Sequence, residues 1–306
     1  MNTKVKNRSR ICLMISAGIM LIALIMTICG FGVNLGLDFT GGLNITFNMN
    51  TPFEQADVEA ALKNQGVTQY QITAAGDDKS ILQIRIPSLS TDDEIQSLQT
   101  ALETELLAKY PTMDTENATA SYVGPIAGAT LLKNAILSVL IATALMLVYI
   151  AIRFDFNSGL AAVFGLAHDV LIMLSFMVIL RGVIQMNSSF IAAMLTIVGY
   201  SINNTIIIFD RIRENHKKAE YARLKSDEVV NVSISESLGR TVNTTLTTLL
   251  TIVSLYVFGV DSIREFSLPI IVGILSGVYS ANMINGYVWA FLEERRKSAK
   301  LKAQKA

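Results

Sequence analysis

The sequence predicts a polytopic α-helical membrane protein with six transmembrane helices and a small α+β domain on the outer face, inserted between the first and second helices. Three observations predict it. Charged residues make up 16% of the 306-residue chain, against about 25% in an ordinary soluble domain. The apolar residues gather in six long runs, Ile11–Leu37, Asn134–Ile152, Phe156–Leu180, Gly182–Phe209, Thr241–Val260 and Phe266–Leu292, and the one acidic or basic side chain among them is Asp169. About 20 apolar residues of helix cross a ~30 Å hydrocarbon core, and all six runs approach or exceed that length. The segment between the first two runs is different in kind, with alternating and capped stretches and an acidic excess.

The first run comes after four basic residues, Lys4, Lys6, Arg8 and Arg10. A cleaved signal would show the same flank. The run is too long for a signal's apolar region and no small-x-small cleavage site comes after it, so an uncleaved first helix is expected. Residues 1–37 are therefore read as a cytoplasmic N-terminus with the first helix.

Residues 38–131 read as an extracytoplasmic domain. Gly42–Met49 alternates like a strand. Thr51 and Glu54 have the spacing of a capping box, with Pro52 at the first helical position, for a helix to about Gln65. Gln69–Ala75 and Ser80–Ile86 read as strands joined by a turn at residues 76–79. Thr91 and Glu94 form a second box, for a helix stopped by Pro111. Thr119–Val123 is a candidate last strand. The order βαββαβ is that of the ferredoxin-like arrangement.

Residues 132–292 carry the other five helices, and 293–306 form a basic tail. The positive-inside rule orients them. Seven basic residues lie in Asp210–Arg240 and six lie beyond Leu292, while the short loops on the opposite side hold Arg181 and Arg264. Both termini are thus expected in the cytoplasm. The zero net charge is a cancellation: Asp38–Leu131 holds 4 basic and 13 acidic residues, and the rest holds 21 and 12.

Composition and motifs also exclude functions. A disordered chain is charge-rich and apolar-poor. A nucleic-acid partner normally demands a basic surplus, so none is expected. There is no GxxxxGK[ST] loop, no Cys/His cluster spaced for zinc, and no GxSxG turn beside the two histidines, His168 and His216. An enzyme is not expected, and neither a cofactor nor a metal is. Cys12 and Cys29 both fall in the first helix, too far apart to pair.

Polar groups inside lipid are costly and are functional candidates. Asp169 sits near the middle of the third helix beside His168. It reads either as a protonatable or ion-binding site or as a structural hydrogen bond to another helix. Neighbours on a helix point about 100° apart, so the two side chains need not touch. Asn203 and Asn204 of the fourth helix read first as interhelical glue. Arg240 opens the fifth helix, ahead of a polar stripe from Thr241 to Thr248. The stripe suggests a face on a polar crevice; snorkelling of Arg240 to the interface is the alternative. Asp210, Arg211, Arg213 and Glu214 end the fourth helix as a clasp on the cytoplasmic loop or a docking surface. Gly273 and Gly277, four apart, favour close helix packing.

The stretch Leu35-Gly36-Leu37-Asp38-Phe39-Thr40-Gly41-Gly42 resembles the G-x-D-F-x-G-G signature after the first helix of the SecD/SecF family. His168-Asp169-Val170 resembles its third-helix H-D-V. Gly199-Tyr200-Ser201-Ile202-Asn203, together with Phe209-Asp210-Arg211-Ile212-Arg213-Glu214-Asn215, resembles G-Y-S-I-N-D…F-D-R-I-R-E-N. Ser237-Leu238-Gly239-Arg240-Thr241 resembles the S-x-x-R-T of the fifth helix. The resemblance runs from the N-terminus to the sixth helix. It implies kinship with resistance-nodulation-division transporters and a multi-pass place in the bacterial cytoplasmic membrane. It also implies a SecD partner, separate or fused, and assistance to the SecYEG channel and SecA motor. The polypeptide would be drawn outward late in export by a proton or sodium gradient. Ion-coupling roles fall by resemblance on Asp169, Arg240 and the Asn203–Asn204 pair, with His168 beside them. Asp38, Gly41, Gly42, Asp210, Arg211 and Arg213 carry structural or docking motifs. One position departs: where the family has Asp after Asn203, this chain has Asn204, which cannot release a proton. Coupling then rests on Asp169 with a SecD carboxylate, uses another ion, or is absent.

Overall fold

Charge-free segments must satisfy their backbone internally, and in the computed structural model they do so as helices. Residues 2–75, 80–87, 92–182, 184–221 and 223–304 are described. The chain forms two units, one of Met1–Asn34 with Leu137–Ala306, the other of Leu35–Ile136.

The second unit begins with a short helix, and so the helices are numbered from α1 (Asn2–Ile28) and α2 (Leu37–Thr40). The first helix ends nine residues before the apolar run does, at the Cys29–Gly30 turn where Gly30 has φ +88°. Next come β1 (Gly42–Asn48), α3 (Gln55–Asn64), β2 (Gln71–Ala75), β3 (Ile81–Ile86), α4 (Asp92–Lys109) and β4 (Asp114–Val123). The four strands form one antiparallel sheet in the order β2-β3-β1-β4. Period-two burial decides the register: Leu43, Ile45 and Phe47 lie opposite Ile86, Ile84 and Leu82, and all six are buried. Val58, Ala61 and Leu62 of α3 and Ile95, Leu98, Leu102 and Leu106 of α4 cover that face at helical spacing.

One detail corrects the expectations for this unit. The Thr51–Glu54 capping box does not form. The Thr51 hydroxyl contacts the Met49 carbonyl and Thr112 Oγ1 instead, and α3 starts at Gln55. Its entry is held from α4: the Glu54 amide donates to the Tyr110 hydroxyl, which donates to Asp57 Oδ2 at 2.6 Å, while Lys109 Nζ reaches Asp57 Oδ1 at 2.5 Å. The turn at 76–79 and the Thr91 cap lie outside the described residues. Gly42, at φ +121°, accepts no side chain, since a Cβ would stand 2.5 Å from the Ile86 carbonyl oxygen.

The remaining helices are α5 (Pro125–Arg153), α6 (Phe156–Ile179), α7 (Ser188–Lys217), α8 (Ser226–Phe258), α9 (Asp261–Ser280) and α10 (Gly286–Ala303). A 3₁₀ turn, Ala219–Tyr221, lies between α7 and α8, and a π turn, Ala281–Asn285, joins α9 to α10. Among the described residues, six stretches of helix are long and apolar enough to cross a membrane, one of them running through α9, the π turn and α10. The chain is a multi-pass membrane protein. Over half of the most apolar stretch of α6, of α7 and of α9–α10 is buried, whereas α1, α5 and α8 expose most of theirs. Small residues let the inner helices approach: a Cβ on Gly273 would meet Ile197, and one on Gly277 would meet Ser201.

Arg240 does not open its helix. α8 starts at Ser226, because Val229, Val230, Ser233 and Ser237 supply a buried face long before the charge-free run begins. Likewise α7 continues through Asp210, Arg211 and Arg213 to Lys217.

Candidate functional site

The site is built on the single charge within the apolar runs. Asp169 of α6 is fully buried. Ser201 of α7 donates to its Oδ2. Ser276 and Ser280 of α9, one turn apart and so on one face, donate to Oδ1 at 2.7 Å and to Oδ2 at 2.8 Å. His168 does touch its neighbour, with Nδ1 3.0 Å from Oδ1, and its Nε2 lies 2.8 Å from Ser16 Oγ of α1. Tyr279 stacks beside the imidazole, with ring centroids 6.1 Å apart, and its hydroxyl donates to the Cys12 carbonyl at 2.5 Å.

Four helices therefore converge on one carboxylate. With Asp169 ionised, Nδ1–H of His168 donates to it and Nε2 accepts from Ser16, and every contact then carries a proton. Hydrogen bonds to a charged group contribute about 1.5–3 kcal/mol each, which offsets the desolvation of a carboxylate in this position. A cavity of about 300 Å³ adjoins the network, with Ser16, His168, Ser276 and Tyr279 in its wall. The arrangement can hold a negative charge inside the bundle.

The π turn positions a second polar layer. In an unbroken α-helix the face of Ser276 and Ser280 would continue to Ile284. One extra residue in the turn moves that face to Asn285, whose Nδ2 donates to Thr205 Oγ1 at 2.9 Å. Gly165 of α6 makes room, since a Cβ there would lie 2.2 Å from the Asn285 amide. The Asn285 Oδ1 has no hydrogen-bond partner among the described residues.

Asn203 and Asn204 separate. Asn203 is exposed. Asn204 is 1% exposed, and neither amide atom has a partner among the described residues. Glue between α7 and α8 comes from elsewhere: Tyr200 donates to Thr245 at 3.1 Å. Most hydroxyls of the threonine stripe bond carbonyls of their own helix, as Thr241, Thr244, Thr247 and Thr248 do. Arg240 is exposed and has no ion pair among the described residues. It lines a groove of about 730 Å³ with Asp210, Arg211, Arg213, Glu214 and Glu236, apart from the Asp169 network.

That groove holds the charged end of the α7–α8 hairpin. Arg211 reaches Glu214 and Glu236, each at 2.7 Å, and Asn215 donates to Glu236 at 2.6 Å and to Ser233 at 3.1 Å. Asp210 lies 3.6 Å from Arg153, and Arg213 donates to the Arg153 carbonyl. Asp38, Gly41 and Gly42 lie in the other unit, at the turn from α2 into β1, where both glycines have positive φ.

Of the residues in this network, sequence reasoning singled out Asp169 and His168 but not Ser16, Ser201, Ser276, Tyr279 or Ser280. The available signal was Ser276-x-x-x-Ser280 interleaved with Gly273-x-x-x-Gly277 in an apolar helix.

Comparison with known proteins places these features in a lineage. Residues 103–295 match the family described as protein export membrane protein SecD/SecF, C-terminal, and residues 28–52 match the SecD/SecF GG motif. The chain is 37% identical to the protein translocase subunit SecF of Thermodesulfovibrio yellowstonii, over 88% of this chain and 86% of the relative. It is 33% identical to the SecF of Haemophilus influenzae, over 86% and 80%. It is also 33% identical to the SecDF of Bacillus subtilis, over 88% of this chain and 35% of that protein. The crystal structure of SecDF from Thermus thermophilus, a translocon-associated membrane protein, superposes with a TM-score of 0.80 at 33% identity, over 94% of this chain and 38% of that one.

Proposed function

This chain belongs to the SecD/SecF family of protein-export membrane proteins, and from that premise we propose an ion-gradient-coupled accessory subunit of the Sec export machinery. It works with a SecD partner, as a SecDF relative in a single chain suggests. The pair assists the SecYEG channel and SecA in completing the passage of an unfolded polypeptide. The βαββαβ unit, read as ferredoxin-like, lies on the outer face of the bacterial cytoplasmic membrane, with both termini in the cytoplasm. Its acidic surface favours basic emerging segments.

One observation carries the coupling role: a carboxylate in the middle of the bundle receives donors from α7, from α9 and from the neighbouring His168, itself tied to α1. Binding or losing a cation there changes how four helices are held together. That is the local event which could move an attached outer domain. Arg240, Asp210, Arg211 and Arg213 serve at the cytoplasmic groove, where a partner helix would dock.

The test is gradient-driven completion of export in vesicles carrying Asp169→Asn or Arg240→Met, with assembly checked by co-purification. Asp169→Asn should lower late export about tenfold, roughly 1.4 kcal/mol on the coupled step, while assembly survives. Normal export by both variants would overturn the reading. Asn204 favours a second reading, that of a passive stabiliser of the channel complex, since the family's carboxylate is absent there. That reading expects export to persist when the gradient is collapsed.

A further inference from the structure

We propose that the cleft between α1, α6 and α10 is a binding site for an anionic phospholipid. One acyl chain lies along the cleft and the phosphodiester rests on Arg10.

The cleft has a volume of about 760 Å³, and Leu13, Leu160, Phe164, Ala167, Val288 and Phe291 are among its walls. Leu160, Phe164 and Phe291 are 44%, 45% and 54% exposed, so the cleft opens sideways, toward the hydrocarbon that surrounds membrane-spanning helices. Nearly all of its exposed lining surface is apolar. An acyl chain fits such a surface; a polar solute does not.

Its end is different. Arg10 lines it, is exposed, and has no carboxylate partner among the described residues. A second guanidinium, Arg295, lies 4.5 Å from the centre of the Phe291 ring, again without an ion pair among the described residues. The nearby Glu293 is engaged elsewhere: it accepts from Asn157 at 2.7 Å and lies 3.6 Å from Arg296. An apolar slot with an uncompensated cation at one end matches a lipid of net negative charge. A guanidinium holds a phosphodiester in bidentate fashion. A zwitterionic lipid brings its own ammonium and gains less. Basic pockets between membrane helices are where acidic headgroups are held.

The chain supplies its own reporter. Trp289 is its only tryptophan and is buried on α10, next in sequence to the cleft residue Val288. The purified full chain is placed in phosphatidylcholine nanodiscs containing brominated phosphatidylglycerol or brominated phosphatidylcholine at equal mole fraction. Quenching of Trp289 should show a preference of about fivefold for the anionic lipid. Arg10→Gln should bring the preference close to one, with the thermal unfolding midpoint unchanged. Val163→Phe, which fills the cleft, should weaken quenching by both lipids. Equal quenching in the wild type would overturn the site, as would an undiminished preference in Arg10→Gln. Lys302→Gln is the control on the exposed tail: if it removes the preference equally, the attraction is diffuse and the site is wrong. Displacement of the lipid by a second copy of the chain, seen as quenching lost with rising protein-to-disc ratio, would overturn it too.

Discussion

Asp169 was legible as a candidate because it is the one acidic side chain in six apolar runs. Its partners were not legible, because serine is common in membrane helices and a hydroxyl announces no charge. What identifies Ser276 and Ser280 is that both reach one carboxylate. Removing Ser280 leaves an oxygen of the buried Asp169 side chain with one donor fewer. Ser280→Ala should lower stability by about 1–3 kcal/mol, measured by thermal unfolding in detergent. In a double-mutant cycle with Asp169→Asn, the two changes should couple by more than about 0.5 kcal/mol; additive effects would mean that the bond contributes nothing. Asn204 shows the opposite limit of sequence reading. Its burial without a partner could not be foreseen from an Asn-Asn pair, since the fold turned Asn203 outward and Asn204 inward. Asn204→Asp should either give export a new dependence on the proton gradient or lower stability through an unpaired buried carboxylate. Export and melting measured on the same preparation tell these apart, and no change in either would show that the position is tolerant.

Helices were found in the sequence by where charges stop, and that is why their ends were misplaced. α8 gathers its first turns from an amphipathic stretch rich in Asp, Glu and Ser, which a hydropathy criterion reads as loop. The strands fared better, because alternation in β1 and β3 is unambiguous. Two predictions belong to elements. The first concerns the α3–α4 clamp. The Lys109 ammonium, with help from the Tyr110 hydroxyl, holds the Asp57 carboxyl below its ordinary value. Its folded-state value lies under its unfolded one, so the stabilisation is present above roughly pH 4 and disappears as pH falls through the lower, folded value. The Asp57→Asn variant should therefore melt a few degrees lower than wild type near pH 7, and the gap should close in acid; a gap independent of pH would discount the clamp. The second concerns the π turn. It absorbs one residue, so deleting Met283 should restore α geometry while leaving Asn285 facing Thr205, and export should survive. Inserting an alanine after Met283 rotates Asn285 and all of α10 by about 100° and should abolish it.

At the scale of the molecule, the charge split was the most informative reading of the sequence, since it separated an acidic inserted unit from a basic remainder. The orientation it implies is checked by cysteine labelling in a Cys12→Ser, Cys29→Ser background: Asn64→Cys should react with an impermeant maleimide from outside intact cells, and Lys302→Cys only after lysis. The reverse pattern would invert the assignment. What composition could not convey is the reach of individual helices. α7 and α8 have 30 and 33 residues, about 45–50 Å at the rise of an α-helix, while the hydrocarbon takes up about 30 Å. Their shared end is riveted by Arg211–Glu236 and Asn215–Ser233. The pair therefore stands out from the bilayer as a stiff post rather than a loop. Anything that docks on that side meets a fixed obstacle of some ~15 Å or more, so the geometry of approach is set before any surface chemistry is consulted.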